Sequence, residues 1–329
     1  MPRYSYEPER ESSPAPLVLG VLVLLVGVAA VFLVMTGKID VLLDALGSGG
    51  ATDTTSEEPV KEELSPRAAD AYSWDELSRI SDLVSSASSD EEGLKIANQY
   101  NLVDESGTPV TAAIDVALSD GTLAHAQLIG VRHDHLSDGG VAGLTYMLSI
   151  VADEPMCENG SAEGGWESSS LRGWLSSGGI SLLPPELSSR IVPVAKLTNN
   201  VGTTSDTSAV SITYDSLWCL STSEVCGLTS WFSTEYGPTM SDYDDLVSSE
   251  GTQYAYFSGH NVTGESDPEG VLALTYRSAS WAWWYRTPYP YMFQSEGEST
   301  TFFQVTTSGF PSSVGVASDA AGVVVGFCI

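Results

Sequence analysis

The apolar positions near the N-terminus form one continuous run. Residues 17–37 (LVLGVLVLLVGVAAVFLVMTG) are 21 residues without a charged side chain. At about 1.5 Å per residue a helix of this length spans roughly 31 Å, the thickness of a bilayer core. A cleaved signal peptide has an apolar region of only about 7–15 residues, and a buried core helix of this length keeps a polar face. We therefore predict an uncleaved transmembrane helix from Leu17 to Gly37.

The charges beside this helix predict its orientation. Arg3 and Arg10 precede the helix, and Lys38 is the only cation close behind it. Positive charge favours the cytoplasmic side, here by a margin of about one charge. Residues 1–16 are thus predicted to be a cytoplasmic tail, and the chain after the anchor is predicted to lie outside the cell membrane.

Helical spacing of apolar residues returns after a polar stretch. Residues 38–70 are rich in Gly, Ser, Thr, Pro and acidic residues, which predicts a flexible acidic linker. Two S-x-x-E capping signals follow, Ser73 with Glu76 and Ser89 with Glu92. Each precedes a single apolar stripe, so residues 71–108 are predicted to form a helical hairpin packed on the main domain.

Short strands dominate the pattern from residue 109 to the end. Asp120-Gly121 lies between two alternating segments and indicates a β-hairpin. Strands are predicted at 110–118, 122–131, 142–152, 217–220, 301–307 and 323–328, and short helices at 171–175 and 186–191. This mixture predicts an α+β fold in which 109–329 is one domain with many short antiparallel strands.

Composition excludes some classes of partner. Residues 38–329 hold 11 of the 13 basic side chains and 40 of the 43 acidic ones, a net charge of −29. Such a domain repels phosphate backbones, so nucleic acid is excluded as an expected partner. Eight Trp, 14 Tyr and eight Phe are far too many for a solvated tail. A packed core, a binding surface or both are expected.

The four cysteines permit two disulfides in an extracytoplasmic domain. They are Cys157, Cys219, Cys226 and Cys328. Three pairings are possible, and the sequence does not choose among them. Cys219 and Cys226 are close in the chain and form the candidate disulfide. There is no CxxC pair, which argues against a zinc site.

Several distinctive sequence blocks occur in a fixed order. They are LIGVRHDHLSDGGVAGLTY (128–146), GGWESSSLRGWL (164–175), LLPPELSSRIVPVAKLTNNVG (182–202), DSLWCLSTSEVCG (215–227), SEGTQYAYF (249–257), SWAWWYRTPYP (280–290) and VVVGFCI (323–329). In these blocks the chain resembles a family of uncharacterised bacterial domains found in surface proteins of gut-associated bacteria. The features of that family are a GGW-x-x-S-x-x-R-x-WL block, a later WW-x-R-S-type block and a terminal strand with glycine, and the similarity runs from about residue 71 to the end. The resemblance implies no activity, because the family has none assigned.

A more distant similarity concerns the fold. An aromatic block with arginine, paired strands and a final Gly-Phe strand are similar to the C-type-lectin-like and formylglycine-generating-enzyme-like fold. That resemblance implies a domain that displays variable loops for binding. Function does not follow from fold alone.

The aromatic block 280–293 is the most unusual part of the sequence. On a strand, Trp281 and Trp283 share one face, and Trp284 and Arg286 share the other. One interpretation is structural, with a buried face and an arginine paired to a carboxylate. The other is an aromatic platform for a glycan or peptide ligand. The candidate ligand-binding residues are Trp281, Trp283, Trp284, Tyr285, Arg286, Tyr289 and Tyr291.

Other aromatic residues are predicted to be structural. Trp166 and Trp174 flank Arg172 at near-helical spacing, which favours core packing with a buried ion pair. Trp218, in the block 215–227, is assigned to the same group. Neither metals nor cofactors are expected. The HDHLSD segment (133–138) and Asp242, Asp244 and Asp245 carry metal-ligand types without a recognised ligand pattern.

Three functional hypotheses remain open from the sequence. The first is a membrane-anchored, non-catalytic binding or adhesion module with an extracellular glycan or protein ligand. The second is an extracytoplasmic enzyme that acts on cell-wall or surface material, although GxSxG, HExxH, P-loop and GxGxxG motifs are absent. The third is a structural surface scaffold whose aromatic residues all lie in the core.

Overall fold

A computed structural model describes residues 64–200, 210–290 and 300–329. The predicted tail (1–16), the anchor (17–37) and the linker up to residue 63 lie outside the described residues. No helix within the described ranges is long and apolar enough to cross a membrane. Residues Glu63–Ile329 form one compact unit.

Two amphipathic helices open this unit. Helix α1 spans Trp74–Ser85, and Ser73 and Glu76 form the complete capping box that the sequence predicts. Helix α2 spans Asp90–Gln99 and is capped by the Ser89 side chain. The Glu92 carboxylate binds the backbone N–H of Ser88 instead of Ser89, so the second box is not reciprocal. Both helices bury one stripe, as amphipathic spacing requires.

A seven-stranded sheet forms the centre of the domain, and its strand order is β1-β2-β3-β11-β8-β9-β10. Neighbouring strands are antiparallel except β11 and β8, which are parallel. The strands are β1 (Ile114–Ala117), β2 (Leu123–Val131), β3 (Leu144–Pro155), β8 (Trp283–Pro288), β9 (Thr301–Val305), β10 (Ser313–Val316) and β11 (Ala320–Cys328). The predicted α+β fold is therefore confirmed.

Two small hairpins and several short helices surround the sheet. The hairpin strands are β4 (Val194–Asn199) with β5 (Val210–Asp215), and β6 (Thr275–Tyr276) with β7 (Ala279–Ser280). The further helices are α3 (Gly165–Ser168), α4 (Ser170–Trp174), α5 (Ile180–Leu182), α6 (Pro185–Ser188), α7 (Thr222–Cys226), α8 (Trp231–Tyr236), α9 (Ser241–Val247) and α10 (Ala255–Gly259). A π-helical turn, Leu175–Gly179, joins α4 to α5.

The core lies where α1 covers the middle of the sheet. Trp74 of α1 packs edge-on against Tyr146 of β3 at 5.5 Å and Phe327 of β11 at 5.9 Å, and the latter two rings stack. Such ring pairs contribute about 0.5–1.5 kcal/mol each beyond their buried area. The helical hairpin and the sheet thus share one core.

Residues 217–220 and the start of the aromatic block differ from the predictions. Residues 217–220 are not a strand, because only Trp218 forms a bridge, to Gly326 of β11. Strand β8 begins at Trp283, and Trp281 precedes it. This second difference separates Trp281 from the buried strand that follows.

Candidate functional site

Most of the aromatic block is buried, which corrects the predicted ligand platform. Trp283, Trp284, Tyr285 and Arg286 have no exposed surface. Strand β8 lies inside the sheet between β11 and β9, and its side chains are buried on both faces. The sequence pattern does not distinguish a strand with one exposed face from a strand with two buried faces.

Each buried polar tip in this block has a partner. The indole Nε1 of Trp283 donates to the Leu272 carbonyl, and that of Trp284 donates to the Glu154 carbonyl, both at 2.9 Å. Tyr285 Oη lies 3.7 Å from the Cys226 sulfur. The block therefore holds the sheet to the loops around it, and the structural interpretation applies to these residues.

The remaining candidates of the block differ from this core. Tyr289 is half-buried, and its ring packs against Phe303 at 5.2 Å and Phe232 at 5.8 Å. Tyr291 lies outside the described residues. Trp281 is also half-buried, and its ring meets Tyr276 edge-on at 5.8 Å.

Trp281 lines a surface cleft of about 330 Å³, called here the Trp281 cleft. Its floor includes Trp284, and the missing side chain of Gly315 on β10 leaves room for the Trp284 ring. A Cβ atom at Gly315 would lie 2.8 Å from the Trp284 ring and 2.7 Å from Gln304 Oε1, closer than such atoms approach. The other lining residues are Ser280, Ala282, Gln304, Thr307, Asp319, Ala320 and Ala321. The cleft thus combines an aromatic wall with hydroxyl, amide and carboxylate groups.

A cluster of buried charged side chains, called here the ion cluster, surrounds Arg286 of β8. Apart from Arg286 and Asp134, the sequence analysis does not single out its members. Its members are Asp134, Lys196, Glu224, Glu250 and Arg286, each at most 6% exposed. Lys196 Nζ binds Asp134 at 2.7 Å and also contacts Glu224. The Arg286 guanidinium forms a two-pronged pair with Glu224 and donates to the carbonyls of Glu250 and Cys219. These bonds join β4, α7 and β8.

The pKa values of three members of the ion cluster, Asp134, Lys196 and Glu224, are shifted away from neutral pH, so these groups stay charged. Burial favours a neutral Asp134, but the electrostatic effects of Lys196 and His133 and the hydrogen bonds from Lys196 and Thr145 together outweigh it and lower the pKa of Asp134 to about 2. Burial also opposes the charge on Lys196, yet Asp134 and Glu224 raise the pKa of that amine. For Glu224, Arg286 and Lys196 outweigh burial and lower its pKa. Groups that transfer protons are usually shifted the other way.

Glu250 is the exception in this cluster. Burial is the largest effect and raises the pKa of Glu250 to about 7, although Arg286, Thr287 and the Asn199 N–H act against it. Its Oε1 accepts the backbone N–H of Asn199 at 2.7 Å, and Oε2 accepts the Thr287 hydroxyl. When Glu250 is protonated, two cations face two anions and the cluster is balanced.

A second cleft, of about 320 Å³, opens above this cluster. Thr252 and His133 face each other there, with Thr252 Oγ1 3.5 Å from His133 Nε2. The His133 ring packs on Tyr254 at 4.1 Å, and burial lowers the pKa of His133. The other lining residues are Asp134, His135, Ala195, Lys196, Leu197, Ile212 and Gly251.

Two of the residues considered as metal ligands, Asp134 and Asp244, bind other groups. Asp134 is bound to Lys196, and Asp244 accepts the backbone N–H groups of Phe232 and Ser233, capping α8. Within the described ranges no group of three or more His, Cys, Asp or Glu side chains is arranged to hold a metal ion.

The residues predicted as structural lie in or beside the core. Trp166 and Trp218 have no exposed surface, and Trp166 Nε1 donates to Asp215 at 3.1 Å. Arg172 pairs with the same carboxylate at 2.7 Å. Trp174 is half-buried and its ring covers Gly178 and Gly179. The ring of Trp218 lies 4.5 Å from Lys196 Nζ, so it forms one wall of the ion cluster.

The candidate disulfide between Cys219 and Cys226 is not formed, because both are free buried thiols, as are Cys157 and Cys328. Proximity in the sequence misled this prediction. Cys219 precedes α7 and Cys226 ends it, and Cys226 Sγ instead contacts Tyr285 Oη. Burial raises the pKa of Cys226 to about 12 and that of Cys157 to about 11, which keeps these thiols protonated.

Comparisons with known proteins identify a family but not an activity. Neither the curated proteins nor the solved structures gave a match to this chain. One family profile, described as Domain of unknown function (DUF6273), matches residues 145–329. The matched part runs from the second residue of β3 to the end of β11, and it includes the Trp281 cleft and four of the five members of the ion cluster. Because the match covers more than half of the chain, the protein belongs to this family of domains of unknown function.

Proposed function

We propose that this is a membrane-anchored cell-surface protein of bacterial origin whose extracytoplasmic domain binds a glycan without catalysis. The anchor is the apolar segment 17–37, and the domain has a C-type-lectin-like arrangement. The proposed site is the Trp281 cleft, and the rest of the aromatic block is its structural support.

One observation carries this proposal: a partly buried indole stands beside polar groups in an open cleft. Flat aromatic faces stack on the apolar faces of sugar rings, while nearby polar groups bind the hydroxyls. Trp281 supplies the flat face, and Gln304, Asp319 and Thr307 supply donors and acceptors. Trp284, held by its bond to Glu154, gives the cleft a rigid floor.

The charge of the domain narrows the glycan class. With a net charge of −29 after the anchor, the domain repels anionic sugars at long range. Asp319 at the rim of the Trp281 cleft is exposed and adds to this effect. We expect neutral sugars or amino sugars to bind and acidic sugars to be excluded.

The test is a glycan array probed with the full chain in detergent. We expect binding to neutral or amino sugars, and we expect Trp281→Ala to weaken it roughly 100-fold, about 3 kcal/mol. Trp174→Ala is the matched control, because Trp174 is also a half-buried tryptophan but lies away from the cleft.

Two results would count against the proposal. Equal losses in the Trp281 and Trp174 variants would indicate a general effect on folding. Silence across the array would favour the structural scaffold, the function that the buried aromatic block supports.

An enzymatic alternative rests on the His133–Thr252 pair in the second cleft. A neutral imidazole beside a hydroxyl is the arrangement of a base and a nucleophile, although 3.5 Å is long for the hydrogen bond that activation needs. The ion cluster beneath it is held in its charged form, which suits support better than proton transfer.

Turnover assays on two variants distinguish this enzymatic alternative from glycan binding. If the domain hydrolyses cell-wall or ester substrates, Thr252→Ala should abolish turnover while Trp281→Ala leaves it measurable. We expect the wild-type protein to give no turnover on such substrates. Turnover that requires both Thr252 and His133 would establish the enzyme instead.

A further inference from the structure

The β4–β5 hairpin buries polar side chains and exposes apolar ones, which is the reverse of the usual arrangement. Its inward face carries Lys196, Thr198, Thr213 and Asp215, all at most 6% exposed. Its outward face carries Leu197, Ile212 and Tyr214, which are 42%, 54% and 58% exposed. The ion cluster explains the polar inward face, since Lys196 belongs to it. Nothing within the described ranges covers the apolar outward face.

The two edges of this hairpin differ in their hydrogen bonds. On the β4 edge the Ala195 N–H donates to His135, the Asn199 N–H donates to Glu250, and the Leu197 carbonyl accepts from Arg286. That edge is therefore occupied. These bonds show that the backbone groups of Ala195 and Leu197 point away from β5. In an antiparallel pair, directly opposite residues both point toward each other or both point away, so Tyr214 opposite Ala195 and Ile212 opposite Leu197 also point away.

On the β5 edge the corresponding groups belong to Ile212 and Tyr214. The Tyr214 carbonyl accepts only a long bond, 3.5 Å, from the Arg172 guanidinium. Among the described residues the outward N–H and C=O of Ile212 have no hydrogen-bond partner. An edge strand with open backbone groups is a template for another strand.

A groove of about 250 Å³ runs beside the end of β5. One wall is formed by Tyr214, Asp215, Ser216 and Leu217, and the other by residues of α4, the π-helical turn and α5. The groove therefore lies between an edge strand and a helical segment.

We propose that an extended peptide adds as a strand to the outer edge of β5. Its backbone pairs with Ile212 and Tyr214, and its alternate side chains continue the apolar outward face. A second copy of this chain fits less well, because each copy brings its own helical wall and a net charge of −29. The same charge makes the peptide neutral or basic. This site is separate from the Trp281 cleft and does not depend on it.

The probe is a fluorescent peptide of six residues, the length of β5, with alternating valine and threonine and blocked ends. Its binding to the full chain in detergent is measured by anisotropy, and we expect saturation. The same peptide with N-methylated valines keeps its side chains but loses backbone donors, so we expect binding to weaken roughly tenfold or more.

The matched variants are Ile212→Lys and Leu123→Lys. Both wild-type side chains are 54% exposed, but Leu123 lies on β2, far along the other sheet. We expect Ile212→Lys to weaken binding roughly tenfold and Leu123→Lys to leave it unchanged. The glycan array tests the Trp281 cleft, so its result does not change the expected outcome of the peptide experiment.

Three outcomes would overturn the inference. They are no saturable binding of the unmodified peptide, equal binding of the N-methylated peptide, and equal effects of the two lysine variants. Concentration-dependent dimers that Ile212→Lys abolishes, without peptide binding, would assign the edge to a second copy of the chain.

Discussion

Replacing Arg286 by alanine is expected to lower the free energy of unfolding by about 3–5 kcal/mol. The substitution leaves Glu224 without the guanidinium that is its two-pronged partner, in a site that is 1% exposed. It also removes the side-chain donor to the Cys219 carbonyl and one of the two donors to the Glu250 carbonyl, which keeps its bond from Ser221. Lys196 then remains as the one cation of the cluster for two carboxylates, Asp134 and Glu224. One uncompensated buried charge costs much more than the loss of a surface ion pair.

The measurement for Arg286 is chemical denaturation of the full chain in detergent, followed by tryptophan fluorescence. Lys95→Ala is the control, because the Lys95–Glu91 pair on α2 is almost fully exposed and its loss should change little. Should Arg286→Ala prove as stable as Lys95→Ala, the aromatic block would not be the structural support described here.

The second large effect is a dependence of stability on pH through Glu250. In the unfolded chain this carboxyl loses its proton near pH 4.5, but in the folded domain burial raises its pKa to about 7. Between these values the folded state holds the extra proton, so stability falls as pH rises. The fall is complete above about pH 7 and amounts to about 3 kcal/mol.

The variant Glu250→Gln isolates this contribution. Its amide oxygen can accept the Asn199 N–H, and its amide nitrogen can donate to Thr287, but it does not ionise. We expect the variant to gain about 3 kcal/mol relative to the wild type as pH rises from about 4.5 to 7. Burial lowers the pKa of His133, which makes stability rise with pH, but this contribution is the same in the wild type and in Glu250→Gln. Parallel stability curves would contradict the assignment.

Local signals allowed parts of the fold to be predicted. Helix α1 begins at the predicted capping box, and the Asp120-Gly121 turn joins β1 to β2 with Gly121 at φ 86°. Strand β11 contains all of the predicted strand 323–328. These elements depend on residues close in sequence, which is why pattern and turn chemistry suffice.

The features that could not be predicted depend on contacts between segments far apart in the sequence. The burial of Trp283 to Arg286 depends on β11, about 40 residues later, pairing beside β8. Lys196 sits on a short strand where its neighbours give no sign of burial, and its partners Asp134 and Glu224 come from distant segments. Only the paired contacts make a buried lysine tolerable, and a single sequence does not show them.

The inverted β4–β5 hairpin illustrates the same limit. Alternation of Lys196 and Thr198 with Leu197 predicts that the apolar residues face inward. The ion cluster reverses that assignment, because the charges of Lys196 and Asp215 are satisfied only beneath the hairpin. A sequence pattern gives the period of a strand, but the partners determine which face is buried.

The most direct measurement of the central claim is an NMR titration of the indole N–H signals with a sugar identified on the array. The chain has eight tryptophans, and Trp281→Phe assigns the relevant signal. We predict that the Trp281 signal shifts with saturation while the signals of buried Trp283 and Trp166 stay in place. A sugar that binds without moving the Trp281 signal, or one that moves only signals elsewhere, would contradict the proposed site.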